Sequence, residues 1–286
     1  MSVKTILLPL SGAAAPEPVF ETALSLARRF DAHLDVLYVR RDPHNLLPYA
    51  TLGLSKRMRE SVLQAAEQNT ATQAESAQTL FTQVCERVGV PLVSIRSGSE
   101  SASASWNEET GQEGTILAVR GRLSDLIVLP GPIPVSPPPE VAEAALKSTG
   151  RPVLIIPPCD ETVITKHIGI GWNGSAEAAR AVGAAMTYLH AADSVTIFAG
   201  AAQAERKPTA QNLVDYLGWH GVEAAVRSFK AHDPTVGEAL LDEARDAAVN
   251  LLVVGGYSRS RLRELILGGV TGHLLANADI PVFMVH

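Results

Sequence analysis

Cysteine is scarce in this chain. Of its 286 residues only Cys85 and Cys159 carry a thiol, far apart and with no CxxC pair. Such spacing provides neither a disulfide framework nor paired metal ligands, and it suits a reducing compartment. Each reads as a small buried hydrophobe. Basic runs are short as well: nothing exceeds pairs such as Arg28-Arg29 and Arg40-Arg41, and the net charge is -6. That balance argues against nucleic acid as a main partner. No apolar stretch reaches the roughly 18 residues of a membrane span. Met1 to Leu10 lacks a basic n-region with a long apolar core, so neither a signal peptide nor a membrane partner is expected, and the cytoplasm is the expected location. Several catalytic signatures are missing: GxxxxGK with Ser or Thr, GxSxG, HExxH and paired Cys/His spacing. The eight histidines (33, 44, 167, 190, 220, 232, 273, 286) are scattered, which suits surface or packing roles and gives no metal site.

What is present is alternation. At this length the prior is about two domains, and 46% hydrophobic residues is ample for their cores. Short apolar runs at Thr5–Pro9, Leu34–Val39, Pro91–Ile95, Asp125–Leu129 and Pro152–Ile156 read as strands. Between them lie helical patterns at Pro18–Phe30, Leu54–Val88, Thr115–Arg122 and Glu140–Lys147. Phe20, Leu24, Ala27 and Phe30 share one face of the first helix. Ser97–Gly114 is polar and acidic and reads as a mobile loop, while Leu46–Leu54 is an apolar connection. The second half repeats the order. Strands are expected at His167–Gly171, Ser194–Ala199, Glu223–Phe229, Leu251–Val254 and Pro281–Val285. Helices are expected at Ser175–Leu189, Thr209–Gly221 and Pro234–Ala248, with a short one from Thr271. Continuous apolar strands alternating with helices indicate a parallel sheet covered on both faces. The fold class is therefore α/β: two tandem doubly wound domains, 1–157 and 164–286, each a five-stranded mostly parallel sheet with helices on both faces.

One stretch of the second half points to chemistry. Leu251–Val254 is followed by GGYSRSRLRELILGG, then by the helix opening at Thr271. A glycine-bounded loop between a strand and a helix N-terminus suits a phosphate: glycine allows close backbone approach, and the helix end presents free N–H groups and about half a positive charge. In open α/β sheets ligands bind outside the carboxyl ends of the strands. Three loops would meet there: Gly171-Trp172-Asn173-Gly174, the stretch near Ala199-Gly200, and Gly255 to Thr271. Trp172 reads either as a cover for a ligand or as an apolar wall. Gly169, Gly171 and Gly174 also match GxGxxG, with Asp193 downstream. In the dinucleotide fold, however, the acidic residue ends the second strand, whereas Asp193 precedes it.

The spacing of Gly255, Gly268, Val270 and Thr271 resembles the universal stress protein family, whose nucleotide-binding members carry G-x2-G-x9-G followed by Ser or Thr. Two positions depart from that pattern: Ser258 stands at the second glycine, and Gly269 at the Ser or Thr. The resemblance covers nearly the whole chain as a tandem member of the adenine nucleotide alpha hydrolase-like fold. It implies ATP as the ligand of the second domain, in a stress-response role. Backbone amides of Gly268, Gly269 and Val270 and the Thr271 hydroxyl would hold phosphates. Asn173, where the family usually has Asp, would hold ribose or the first phosphate; it has no charge for a magnesium ion. Arg259 or Arg261 would pair with the terminal phosphate, or else be solvated loop residues. No catalytic base stands out, so at most slow ATP hydrolysis is expected. In the first domain Pro137, Pro138 and Pro139 lack N–H donors, Glu140 repels anions, and Ser11 replaces Asp, so no nucleotide site is expected there. Single-domain members pair through their last strands, which implies intrachain pairing of Val153–Ile156 with Val282–Val285, and leaves a homodimer open. The alternative is a nucleotide-free interaction protein acting through its dimer surfaces.

Overall fold

The computed structural model describes residues 3–12, 17–40, 55–93, 101–131, 139–157, 166–201, 206–230, 236–256 and 269–286. They form two compact units, 3–127 and 128–286, with the boundary inside one strand. Residues 158–163, between the two expected domains, and the apolar connection at 46–54 lie outside the described residues.

The first unit contains β1 (Thr5–Ser11), α1 (Glu17–Phe30), β2 (His33–Arg40), α2 (Lys56–Val88), β3 (Ser103–Thr110) and α3 (Glu113–Arg120). The start of β4 (Leu126–Pro130) completes it. The strand order is β3-β2-β1-β4, all parallel. The middle of β1 and of β2 is buried at every position, as continuous apolar strands require when both faces are covered. α1 packs Phe20, Leu24 and Ala27 inward, and Phe20 meets Phe81 of α2 at 5.2 Å between ring centroids. Ser55 caps α2 by accepting from the Met58 amide, and Gly89, at φ 70, ends it in the left-handed conformation that glycine favours. Cys85 lies in this core, where burial, helped by Glu86, pushes its thiol up to about 11.

The polar stretch expected to be loop is instead β3, paired with β2 from His33↔Ser103 to Arg40↔Thr110. Of the expected strand at Pro91–Ile95, the described residues 91–93 make a single bridge, Leu92↔Ala104. Polarity misleads here because β3 ends the strand order and is held by side chains as well as by its backbone. His33 bonds Ser103 through Nδ1 and Ser105 through Nε2, both at 2.9 Å. The Asp35 carboxylate, 6% exposed, accepts from Asn107 at 2.7 Å and pairs with Arg120 of α3 at 3.2 Å. A buried carboxylate is tolerated when donors surround it.

The second unit contains the rest of β4, then α4 (Pro139–Ser148), β5 (Val153–Ile156), β6 (His167–Trp172), α5 (Ala176–Leu189), β7 (Ser194–Gly200) and α6 (Ala210–Trp219). It continues with β8 (Ala225–Phe229), α7 (Val236–Asp246), β9 (Leu251–Gly255), α8 (Gly269–Asn277) and β10 (Val282–Val285). The order is β5-β10-β9-β6-β7-β8. All its pairs are parallel except β5 with β10, which run antiparallel with Leu154 opposite Phe283, so the expected pairing of these strands is present. α8 begins at Gly269, two residues before the expected start.

Two polar details recur in both halves. Asp125 accepts from the amides of Lys4 and Thr5 through Oδ2 at 2.8 and 3.0 Å. Asn250 does the same for Lys166 and His167 through Oδ1 at 3.2 and 3.1 Å. After the fourth strand of each half, Gly131 donates to the Ile156 carbonyl and Gly256 to the Val285 carbonyl. The tandem repeat is thus written in side-chain clamps as well as in element order.

The Asp35 network makes a prediction. Asp35→Asn keeps the shape but removes the charge that Arg120 and Asn107 address, and should cost about 1–3 kcal/mol in urea unfolding. Amide hydrogen exchange across 103–110 should speed up first. Unchanged stability and protection would show that β3 is held by its backbone alone.

Candidate functional site

Parallel register brings the ends of β6, β7, β9 and β10 of the second unit together. Gly171 of β6 pairs with Val254 of β9, Trp172 with Ala199 of β7, and Val285 of β10 with Gly255. The three expected loops therefore leave the sheet at one end. Of the expected contact residues, Gly171, Trp172, Asn173 and Gly255 lie at these ends, and Gly269, Val270 and Thr271 form the first turn of α8. Thr271 is 7% exposed. Ser258, Gly268, Arg259 and Arg261 lie outside the described residues.

The residues at the ends of β6 and β9 have local reasons for their identity. Asn173 Oδ1 accepts from the Ser175 amide at 3.0 Å, an Asx turn that leads into the helix. Ser175 then caps α5 by accepting from the Ala178 amide at 3.2 Å. Gly174, at φ +69, turns the chain where a Cβ would stand 3.0 Å from the Pro208 carbonyl. Trp172 is 7% exposed and donates its indole N–H to that same carbonyl at 2.9 Å. It is thus a packed wall that ties the β6 loop to the segment before α6. Gly255 meets the first turn of α5 so closely that a Cβ would lie 2.5 Å from the Ala178 nitrogen. Gly171 is confined by Val254 and Leu240, at 2.9 and 3.0 Å from the same construction. His273 packs its Cβ against Gly237 of α7.

Sequence reasoning passed over two charged groups at this end. Glu177 and Arg180 form an ion pair at 2.9 Å in the first turns of α5. Burial opposes the Glu177 charge, but its own backbone N–H, the Ser175 hydroxyl and Arg180 outweigh it and hold the carboxyl below its usual value of 4.5. The signal available in sequence was only an i,i+3 acid–base pair, which is common on solvated helices.

The first unit fills its equivalent end differently. The Ser11 hydroxyl at the end of β1 donates to the carboxylate of Glu113, which is 8% exposed in the first turn of α3. Tyr38 donates to the Gly12 carbonyl at 2.8 Å. A buried carboxylate at this position disfavours a second anion by Coulomb repulsion. The proline loop at 132–138 lies outside the described residues. Among the described residues no group of three or more His, Cys, Asp or Glu is placed to hold a metal ion. No described helix is long and apolar enough to cross a membrane.

The close approach at Gly255 is testable. Gly255→Ala would drive a methyl into helix backbone, which cannot swing aside, and should destabilise by about 1–3 kcal/mol, with α5 displaced. A melting temperature equal to that of the wild type would refute this packing.

Comparison with known proteins follows the fold. A universal stress protein from Archaeoglobus fulgidus DSM 4304 is 16% identical, with a TM-score of 0.73 over 98% of this chain and 95% of that one. A functionally unknown protein from Pseudomonas aeruginosa PAO1 is 14% identical, with a TM-score of 0.59 over 99% and 92%. A putative universal stress protein from Pseudomonas aeruginosa UCBPP-PA14 is 12% identical, with a TM-score of 0.58 over 99% and 93%. At these identities the likeness is one of fold. No curated protein matches the sequence. The model of the universal stress protein family matches twice, over residues 2–97 and 165–286. These two segments take up most of both halves, and the chain belongs to the universal stress protein family as a tandem member.

Proposed function

We propose that this chain is a stress-response protein of the cytoplasm that binds an adenine nucleotide, ATP, in its second half. The observation that carries the reading is the convergence of the β6, β7 and β9 ends on glycines, with α8 opening at Gly269-Val270-Thr271. Gly269 has φ +82, the left-handed conformation that glycine favours, and among the described residues no atom lies within 4 Å of a Cβ placed on it. A glycine of this kind at a helix N-terminus suits close approach by a phosphate. Amides of Gly269 and Val270, with those of Gly268, would take the phosphates, and Thr271 would add its hydroxyl. Asn173, whose Oδ1 closes the Asx turn, would address ribose or the first phosphate. The Ser11–Glu113 contact supports a first half without a nucleotide.

A second reading has its own support. Gly255 is explained by the approach of α5, and Trp172 and Asn173 by internal hydrogen bonds, with no ligand required. On that reading the chain is a nucleotide-free interaction protein, acting through dimer surfaces.

Calorimetric titration of the purified full-length chain with ATP, with and without magnesium, separates the two. Saturation near one site per chain is the expected result. Two sites would contradict the silent first half. No heat at several temperatures, with no nucleotide released on denaturation, would favour the interaction protein.

A further inference from the structure

The guanidinium of Arg180 lies at the strand ends of the proposed site, and the roles assigned so far leave it out. Its Nη2 meets Glu177 Oε1 at 2.9 Å, and its Nε donates to the His286 carbonyl at 3.0 Å. The His286 ring, through Nδ1, lies 3.1 Å from the Gly256 carbonyl oxygen. The Gly256 amide donates to the Val285 carbonyl at 2.8 Å. Arg180 is thereby held where β9 and β10 end side by side. Its side chain is 49% exposed and that of Glu177 is 19% exposed. Glu177 also adjoins Gly255: its Cβ is 2.9 Å from where a Cβ on that glycine would stand.

We propose that Arg180 is the cation that contacts ligand phosphate in this site, and that Glu177 is the internal anion that holds it until a ligand arrives. The inference rests on the nucleotide reading and deepens it. Arg180 now faces the Glu177 carboxylate and a backbone oxygen of His286, the last residue of the chain. A guanidinium carries five N–H donors in a planar fork, and a phosphate oxygen pair fits that fork with more charge than a single carboxylate. A half-exposed ion pair in water contributes little, so exchanging one oxyanion for another meets little resistance. Glu177 acts in the opposite sense. Its carboxylate stays ionised, on a side chain whose Cβ adjoins Gly255, and it would repel a polyanion there. The two residues together tune affinity: one attracts the ligand and the other opposes it. Asn173 brings no charge to the site, so a charged contact to phosphate has to come from another residue, and Arg180 is held at the ends of β9 and β10.

The test uses full-length wild type, Glu177→Gln, Arg180→Ala and Arg180→Lys, titrated with ATP, with thermal melting by circular dichroism as the folding control. Glu177→Gln should tighten binding and Arg180→Ala weaken it, each by about tenfold, the scale of one charge-assisted hydrogen bond. Arg180→Lys should fall between, because it keeps the charge and loses the fork. Equal affinity in wild type, Glu177→Gln and Arg180→Ala overturns the proposal and leaves the nucleotide reading standing. A shift in only one of those two variants overturns it as well. Absence of binding in every protein overturns both. Should Arg180→Ala melt early, Glu177→Gln and Arg180→Lys, which preserve the side-chain shape or charge, carry the comparison.

Discussion

The height at which α5 rides over the sheet is set where a helix backbone touches a strand backbone at Gly255. No side chain fits between them. The same crowding recurs inside the sheet, where Gly171 is closed in by Val254 and Leu240, and Gly169 by Phe198. Close-packed interiors transmit such constraints because they hold no slack. The consequence reaches the strand ends. α5 begins at Ala176, directly after the Asx turn of Asn173 and capped by Ser175, and its first two turns carry Glu177 beside Gly255 and Arg180 to the end of β10. Contacts that fix a helix thus also fix which charges face the proposed ligand.

The two halves share a framework and differ in what occupies the corresponding strand end. Asp125 and Asn250 anchor the first strand of each half by the same pair of amide bonds. Gly131 and Gly256 make the same backbone bond after the fourth strand. At the opposite end the first half places Glu113 against Ser11, while the second has the Asx turn of Asn173 and the start of α8. A duplicated domain can keep its scaffold and lose or retain a site independently, since the site depends on a few strand-end residues and the scaffold on many core contacts.

Much of the fold was legible in sequence because apolar runs and helical spacing alternate so regularly. Capped helices came out closest: α5 begins after Ser175, and α6 after Thr209 with its capping box. β3 was not legible, because an edge strand held by His33, Asp35 and Arg120 needs no apolar alternation. The site was legible only in outline. Glycine spacing marked the loop, but it could not say that Gly255 answers to α5 or that the Trp172 indole is spent on Pro208. Both facts depend on residues distant in sequence. The Asp125 and Asn250 clamps do have a visible trace, an Asp or Asn just before an apolar strand in each half, which only a half-to-half alignment would pick out.

The central claim is that one half of this duplicated chain addresses a nucleotide and the other does not. Photolabelling with 8-azido-ATP, followed by peptide mapping with and without competing ATP, tests it most directly. The account predicts label in peptides from 166–286 that competitor removes. Competable label in peptides from 3–157, or none anywhere, would contradict it.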